Sequence, residues 1–424
     1  MNTSSNTDQS TSVLPPALTL RRRMGGRDIH EPHRATSPLE ALFDLTTVVA
    51  VAAAAAKLHH GIMAEHYALA ATQFLLSFFC IWWSWMNFAW FSSAYDTDDI
   101  GFRLATTVQI IGVLLIAAGI AQEDDVVALQ VSTVGFTVMR LGLVSMWLRA
   151  AREHPERHRT CLRYAIGLTA MQTIWIARAF LIHTEWWWPS FVGMPFELLV
   201  PVWAERAGGT PWHPHHIAER YSLFTIILLG ECMVGASNAI NGVLQTQGWS
   251  VNMMVVSLSI VALIVALWWV YFLVPFAQVL HQRRERGFLW GYGHAFVFLA
   301  LAVLGGVLEV VADALKAAPA AAHGAAHEGA HGGATPLLAI GLTAATVLAY
   351  LIALWWLGGV TTRRQERSFF YLLPSILLAE IAIAAVAVGL PLPWGLALLV
   401  SSPAALIASA IIHRQRRPEG FAVR

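Results

Sequence analysis

The chain has 424 residues, of which 57% are hydrophobic and 12% are charged, and its mean hydropathy is +0.57. A soluble domain carries roughly 25% charged residues, so this composition excludes a soluble globular protein and indicates a membrane protein. The net charge of +1 also argues against a nucleic-acid partner.

Residues 1–38 are rich in Ser, Thr, Pro and Arg, which predicts a disordered cytoplasmic tail. Twelve mainly apolar stretches follow, each near the length of about 20 residues that a membrane-spanning helix needs. They lie at residues 40–58, 66–95, 104–121, 126–148, 161–182, 189–205, 218–240, 251–279, 288–312, 335–357, 369–389 and 392–412. We therefore predict an all-α membrane protein with about twelve transmembrane helices.

Landmarks in the first half of the chain recur in the second half. The pairs, in chain order, are Leu42-Phe43 with Leu223-Phe224, Trp82-Trp83 with Trp268-Trp269, Gly101-Phe102 with Gly287-Phe288, and Trp147-Leu148 with Trp356-Leu357. Internal duplication is a recurring architecture of membrane transporters. We predict two six-helix repeats, at residues 39–206 and 218–414, with a cytoplasmic linker at 207–217 and a second cytoplasmic tail at 415–424.

The basic residues predict an orientation. With the N-terminus in the cytoplasm, all but four of the 27 Lys and Arg residues fall on the cytoplasmic side. Lys57 and Lys316 lie on the outer side, and Arg140 and Arg178 lie inside helices. This positive-inside pattern predicts that both termini are cytoplasmic. Because six spans are an even number, the two repeats should have the same orientation, which makes them parallel repeats.

An outer insert at residues 317–333 is mostly Ala, Gly and His. His323, His327 and His331 are spaced by four residues, so on a helix they would share one face and could bind a metal weakly. The alternative, which the Ala and Gly content favours, is a flexible insert without a metal.

Charged side chains at membrane depth are candidates for function, because placing one there costs on the order of 3 kcal/mol. Together with one amide they are Glu40 and Asp44 on the first span, Asn87 on the second, Arg140 on the fourth, Glu197 on the sixth, Glu231 on the seventh and Glu380 on the eleventh. We expect Arg140 to be paired in the membrane. The possible partners are Asp44, Glu197 and Glu231, and depth along the helices favours Glu231, with Asp44 second. Locking of helices is the alternative role for such a pair.

Three motifs resemble the bacterial low-temperature-requirement A family, LtrA. They are the run LEALFDL at residues 39–45, the run WMNF at 85–88 with the acidic loop DTDD at 96–99, and His216, Glu219 and Arg220 followed by LFTII at 223–227 and Gly230-Glu231. The chain has Leu42, Thr46 and Thr47 where that family more often has Phe and larger apolar residues. The resemblance implies a multi-pass protein of the bacterial cytoplasmic membrane, named for growth in the cold.

The third motif predicts a contact between the repeats. His216, Glu219 and Arg220 share one helix face at the cytoplasmic mouth of the seventh span. Glu40 and Asp44 lie at the corresponding mouth of the first span, and the two mouths can meet across a pseudo-twofold axis. Arg220 is therefore a predicted partner of Asp44.

The acidic loop interrupts the positive charge of the cytoplasmic side. Asp96, Asp98 and Asp99 could neutralise Arg103 and the neighbouring arginines, or they could recruit a cation.

Together these features predict a secondary transporter of a small solute or ion, with carboxylates near the repeat interface as its coupling site. A cation channel of duplicated six-helix units, a membrane scaffold or sensor, and a lipid-modifying enzyme are the alternatives. No Ser/His pair in a nucleophile context is evident, so we expect neither an enzyme nor a cofactor. The expected partners are membrane lipids and the solute, and a homo-oligomer is compatible with the sequence.

Overall fold

A computed structural model describes residues 19–29, 31, 34–181, 188–322, 334–362 and 372–416. Within these ranges the chain is helical and contains no strand. The first half forms α1 (Pro38–Met63), α2 (Tyr67–Tyr95), α3 (Ile100–Ile120), α4 (Asp125–Glu153), α5 (His158–Leu181) and α6 (Trp188–Glu205). The all-α class is therefore confirmed for the described chain.

The second half follows a similar order of long helices. It forms α7 (Pro214–Gln247), α8 (Val251–Phe272), the short α9 (Phe276–Gln282), α10 (Gly287–Ala322), α11 (Pro336–Thr362), α12 (Leu373–Ala387), α13 (Leu392–Leu399) and α14 (Ser401–Arg416). The predicted twelfth span is thus divided into α13 and α14, which meet at Val400.

Nine helical stretches of the described chain are long and apolar enough to cross a membrane. They are Pro38–Met63, Tyr67–Tyr95, Ile100–Ile120, Asp125–Glu153, Pro214–Gln245, Val251–Gln282, Arg284–Ala317, Pro336–Thr361 and Leu392–Ile412. α12 is apolar but shorter, while α5 and α6 form at the predicted positions without belonging to the nine. A multi-pass helical membrane protein is therefore supported, whereas a total of twelve spans stays a prediction.

Side-chain caps fix where several of these helices begin. Ser37 and Glu40 form a capping box at the start of α1, in which each side chain bonds to the backbone N–H of the other residue. His213 caps α7, and Pro214 occupies its first turn, where the absence of a backbone N–H costs nothing. α7 therefore begins within the predicted linker 207–217, four residues before the predicted start of the span.

α1 packs against helices of both halves of the chain. It packs against α2 and α3 in the first half and against α7 and α10 in the second. At Gly306 of α10, an added Cβ atom would overlap the backbone oxygen of Ala55 on α1. Glycine at that position therefore permits the close approach of α1 and α10.

The predicted disordered tail at residues 1–38 is wrong for the part that the structure describes. Met24 is completely buried, and the backbone N–H of Arg27 donates to the carbonyl of Ala94 at 3.1 Å. The N–H of Ile100 donates to the carbonyl of Thr19 at 3.1 Å. Residues 19–29, called the N-terminal strap below, therefore lie against the ends of α2 and α3.

Two other predicted segments are only partly described. α10 continues to Ala322, so the first six residues of the predicted insert at 317–333 are helical. His323, His327 and His331 lie outside the described residues. The second tail, at 415–424, begins inside α14, which ends at Arg416, and its last eight residues also lie outside the described chain.

Candidate functional site

The three sequence motifs converge where α1 and α7 begin and α2 ends. Glu40 and Asp44 are one turn apart on α1, and His216 and Arg220 are one turn apart on α7. None of these four residues has exposed surface. These four residues, together with Arg34 and Asp96, are called the buried charge cluster below.

Arg220 binds both carboxylates of α1. Its Nε donates to Asp44 Oδ2 at 3.2 Å, and its Nη2 donates to Asp44 Oδ1. Its Nη1 lies 3.1 Å from Glu40 Oε1. The predicted contact between Asp44 and Arg220 is therefore confirmed, and Glu40 is a second partner of the same guanidinium.

The indole of Trp85 and the hydroxyl of Ser92 complete the environment of this pair. Trp85 Nε1 donates to Asp44 Oδ1 at 2.7 Å, and Arg220 Nη1 donates to Ser92 Oγ at 3.2 Å. The Arg220 guanidinium also lies over the ring of Phe88, 5.6 Å from its centre. Buried charges need such donors and acceptors because water does not reach them. The WMNF motif therefore supports the ion pair from α2.

Glu40 holds the end of α1 and also contacts α7. Its Oε2 accepts from the backbone N–H of Ser37 at 2.8 Å, and its Oε1 lies 3.2 Å from Nε2 of His216. The imidazole of His216 is held at the first turn of α7, where its backbone N–H donates to Nδ1 of His213 at 3.3 Å. Glu40 therefore connects the start of α1 to the start of α7.

Arg34 completes the cluster from the segment before α1. Its Nη1 donates to the carbonyl of Ser93 at 2.6 Å, and its Nη2 donates to the carbonyl of Ser92 at 2.9 Å. The same Nη2 lies 3.3 Å from Asp96 Oδ2 and 3.7 Å from Glu40 Oε1. Burial lowers the pKa of Arg34. Sequence reasoning did not single out Arg34, which it placed in the disordered tail.

The cluster contains more carboxylates than guanidinium groups. Glu40, Asp44 and Asp96 face Arg34 and Arg220, so the six members carry one excess negative charge when His216 is neutral. Arg27 of the N-terminal strap, outside the cluster, adds a positive charge that acts on Arg34 and Asp96. Burial and the charge of Glu40 raise the pKa of Asp96, against the opposing effect of Arg34. The cluster can therefore take up a proton without creating an unpaired buried cation.

Asp98 and Asp99, the other acidic residues of the loop, each pair with an arginine. Neutralising arginines is one of the two roles predicted for this loop. Asp98 Oδ1 lies 2.9 Å from Arg103 Nε, and Asp99 Oδ2 lies 2.5 Å from Arg149 Nη2. Asp99 also accepts from the backbone N–H groups of Phe102 and Arg22, both at 2.7 Å. Burial alone would raise the pKa of Asp99, but the hydrogen bonds from Arg149 and from these N–H groups lower it to about 2.

Arg140 is paired in the interior, as predicted, but with Glu197 on α6. The distance from Arg140 Nη2 to Glu197 Oε2 is 2.6 Å, and Arg140 Nη1 donates to the carbonyl of Leu168 at 3.2 Å. The indole N–H groups of Trp83 and Trp175 donate to the two oxygens of Glu197 at 2.9 and 2.5 Å. This pair therefore lies within the first half of the chain.

The choice of Glu231 as the partner of Arg140, with Asp44 second, was wrong. Depth along each helix was the only criterion, and it does not say which helices are neighbours. α4 packs mainly against α3 and α5. Glu231 lies against Gly305 of α10, and Asp44 is bound by Arg220.

The remaining candidates lie outside the buried charge cluster. Asn87 donates to the carbonyl of Trp83 in its own helix at 2.7 Å, and Glu219 accepts from the backbone N–H of Thr36 at 3.3 Å. Glu380 is exposed on α12. Within the described ranges, no three His, Cys, Asp or Glu side chains are grouped so that they could hold a metal ion.

Comparisons with known proteins extend the likeness over nearly the whole chain. The family model described as "Bacterial low temperature requirement A protein (LtrA)" matches residues 35–410. The uncharacterized protein RA0937 of Rhizobium meliloti (strain 1021) is 24% identical over 257 residues. That alignment covers 56% of this chain and 59% of the relative, so the chain spans about three fifths of the length of that protein.

Proposed function

The chain belongs to the bacterial low temperature requirement A (LtrA) family, and we propose that it is a secondary transporter that moves a small solute or ion and uses the buried charge cluster for coupling. The observation that carries this proposal is the burial of four ionisable groups, Glu40, Asp44, His216 and Arg220, in contact across α1 and α7. A cluster that served only to hold the helices together would gain little from charge, because well-packed apolar residues often stabilise such a site equally well.

The composition of the cluster favours coupling to protons. The excess negative charge of its members can be neutralised by one proton, which Asp96 could take. Asp96 lies in the loop after α2. Its side chain is 7% exposed, which makes it the most accessible member of the cluster. A proton entering there would change the charge balance around Arg220, which binds α1 to α7.

The order of helix packing supports a two-repeat architecture for such a transporter. α1 packs against α2 and α3, and α7 packs against α8 and α10. α3 and α4 pack together as α10 and α11 do, and α5 follows α4 as α12 follows α11. On this proposal twelve spans form two parallel repeats, with the cluster between their first helices.

The basic residues and the family support the location. Both termini would lie in the cytoplasm, and the protein would lie in the bacterial cytoplasmic membrane, with the cluster at its inner side. Growth at low temperature, which the family's description names, is the cellular process in which we expect the transport to be required.

Uptake into proteoliposomes tests the proposal. The purified protein is reconstituted and assayed with a panel of labelled small solutes and ions, with and without a pH gradient. We expect at least one solute to accumulate only with the gradient. Glu40→Gln and Asp44→Asn should abolish this accumulation, while Arg103→Met, which alters an exposed ion pair outside the cluster, should retain it.

Two results would contradict the proposal. One is ion flux that runs at the same rate without the gradient and in Glu40→Gln, which would indicate a channel. The other is the absence of uptake for every solute by protein that remains folded, as judged by its circular dichroism and its elution on size exclusion.

A further inference from the structure

A cavity of about 130 Å³ lies among the first six helices. It is at the opposite end of these helices from the buried charge cluster. Lys57 lines its mouth from α1, 17 residues after Glu40. At a rise of ~1.5 Å per residue, this mouth is roughly 25 Å from the cluster along the helix. The cavity is therefore a separate feature, and on the proposed orientation it faces the outside.

The wall of the cavity is mainly apolar, and the volume of the cavity limits the size of a ligand. The apolar part of the wall is formed mainly by Leu76, Phe79, Ile116, Leu129, Phe136 and Met194, from four helices, and three serines and one threonine add hydroxyl groups. An apolar protein cavity of about 150 Å³ accommodates a benzene molecule. The body of a ligand that fits here is therefore apolar and has about six carbon atoms.

The floor of the cavity lies above an ion pair and offers no free charge. Phe136 and Trp175 line the cavity, and beneath them lie Arg140 and Glu197. The Arg140 guanidinium lies over the Phe136 ring, 4.2 Å from its centre, and Trp175 donates to Glu197. The pair of charges fixes both aromatic side chains from below, so the deep part of the cavity is shaped before a ligand enters.

The mouth carries one cation and one anion side by side. Lys57 Nζ lies 3.8 Å from Asp125 Oδ1, beyond hydrogen-bond distance. Gln73 Nε2 donates to the same oxygen at 2.8 Å, and Lys57 donates to the carbonyl of Gln122 at 2.9 Å. The side chains of Lys57 and Asp125 are 24% and 40% exposed, so both can be reached from solvent.

We propose that this cavity binds a small zwitterion with an apolar side chain, the chemical class of the branched-chain and aromatic α-amino acids. The ammonium group of the ligand would lie near Asp125 and its carboxylate near Lys57, with the side chain inside the cavity. A zwitterion can pair with both members of the ion pair between Lys57 and Asp125 at once, whereas a ligand with a single charge competes with one member for its contact to the other. The inference concerns binding, and it does not rest on the proposed transport.

Binding to the full-length protein in detergent tests the inference. Isothermal titration and thermal unfolding are measured with L-leucine and L-phenylalanine, and with two leucine analogues that each lack one charge, 4-methylpentanoate and isoamylamine. L-alanine lacks the apolar body. We expect leucine and phenylalanine to bind and to raise the unfolding temperature. Each of the other three compounds should bind at least about tenfold more weakly, as expected when one charge-assisted contact or the apolar burial is lost.

Variants assign the contacts. Lys57→Met should weaken the binding of leucine but not that of isoamylamine, and Asp125→Asn should weaken leucine but not 4-methylpentanoate. Ala128→Phe, at a lining position, should fill the cavity and abolish all binding. Lys316→Met removes the other outer lysine, which pairs with Asp313 at 3.1 Å, and should leave binding unchanged.

The inference is overturned if leucine does not bind, if the two analogues bind as tightly as leucine, or if Lys57→Met and Asp125→Asn leave all affinities unchanged. Those two variants alter accessible side chains, so they remain informative if Ala128→Phe does not fold. A lipid that copurifies with the wild type and is absent from Ala128→Phe would also overturn it. Binding of leucine without uptake of any solute would refute the transport proposal alone.

Discussion

Asp44 and Arg220, 176 positions apart in the chain, form a two-point ion pair in which neither side chain is exposed. The pair joins the second turns of α1 and α7, which are the first helices of the two halves. Glu40 and His216 lie one turn before them on the same two helices and make a second contact. Any movement of one half relative to the other at this end would have to break or rearrange both contacts.

Loss of Arg220 should be more harmful than loss of Asp44. Arg220→Met leaves Glu40 and Asp44 buried without their shared cation, and removing one partner of a buried pair costs roughly 3–5 kcal/mol. Asp44→Asn leaves Arg220 bound to Glu40 and keeps an acceptor for Trp85, so we expect a smaller loss. Chemical unfolding in detergent micelles measures both changes.

Arg103→Met provides the comparison for an exposed ion pair. The side chains of Arg103 and Asp98 are 46% and 37% exposed, and exposed pairs contribute about 0–1 kcal/mol. Equal losses for Arg103→Met and Arg220→Met would show that the cluster contributes no more than a surface contact, contrary to the burial described above.

The pairing of Arg140 with Glu197 should appear as coupling in a double-mutant cycle. Arg140→Met alone leaves Glu197 as an unpaired buried carboxylate. Adding Glu197→Gln removes that charge and keeps an oxygen for the indoles of Trp83 and Trp175. We expect a coupling free energy of about 1–3 kcal/mol between the two substitutions, measured by chemical unfolding.

Two further combinations check the partner. Glu197→Leu in place of Glu197→Gln deprives both indole N–H groups of their acceptor, which should cost about 1–3 kcal/mol for each group. Combining Arg140→Met with Glu231→Gln should give additive effects within about 0.5 kcal/mol, because the two sites do not share a contact. Strong coupling between Arg140 and Glu231 would indicate instead that Glu231 is the partner, as depth along the helices alone suggested.

Much of the helix pattern could be predicted from the sequence, because an apolar stretch of about 20 residues is typical of a membrane-spanning helix. The contact of Asp44 with Arg220 could also be predicted, since both residues lie at the cytoplasmic mouth of the first span of their predicted repeat. The partner of Arg140 could not, because which helices are neighbours depends on packing between distant segments. α4, α6 and α7 all place a charge at similar depth, and only packing distinguishes them.

Arg34 and the N-terminal strap were missed for a different reason. A composition rich in Ser, Thr, Pro and Arg is typical of disorder, and it contains no periodicity that would indicate burial. The strap is ordered by hydrogen bonds to side chains at the ends of other helices. Glu153 on α4 accepts from the backbone N–H of Met24 at 2.5 Å, and Asp99 accepts from that of Arg22. No local pattern in the strap records these contacts.

The orientation of the chain can be tested by cysteine labelling. In a protein whose three native cysteines are replaced, a cysteine at Glu123 should react with a membrane-impermeant reagent added to intact cells. One at Glu156, which is 87% exposed at the other end of α4, should react only after the cells are opened. We expect this pattern because the arginines concentrate on the side of the membrane where Glu156 lies, and such a concentration marks the cytoplasmic side. Labelling in the reverse pattern would place the N-terminus outside.

The pH dependence of stability should reveal the role of Asp99. This residue caps α3 and binds Arg149 and the strap, and these contacts lower the pKa of its carboxyl group to about 2. The usual value in an unfolded chain is about 3.9. A carboxylate with a lowered pKa contributes stability that is fully present above the unfolded value and is lost as the pH falls through the folded value. Asp99→Asn keeps a side-chain cap for α3, since Asn is a good capping residue, but removes the charge.

The unfolding temperature of Asp99→Asn should therefore be lower than that of the wild type by a constant amount between about pH 5 and pH 7. The difference should shrink below about pH 4 and vanish only below the folded pKa, at about pH 1. Asp98→Asn is the matched control. Asp98 pairs with Arg103 at the surface and has a φ of +48°, a conformation that Asn tolerates well, so its substitution should change stability by less than about 0.5 kcal/mol. If Asp99→Asn showed the same small change at every pH, the charge of Asp99 would not hold the strap to α3. The cap alone would then account for its position.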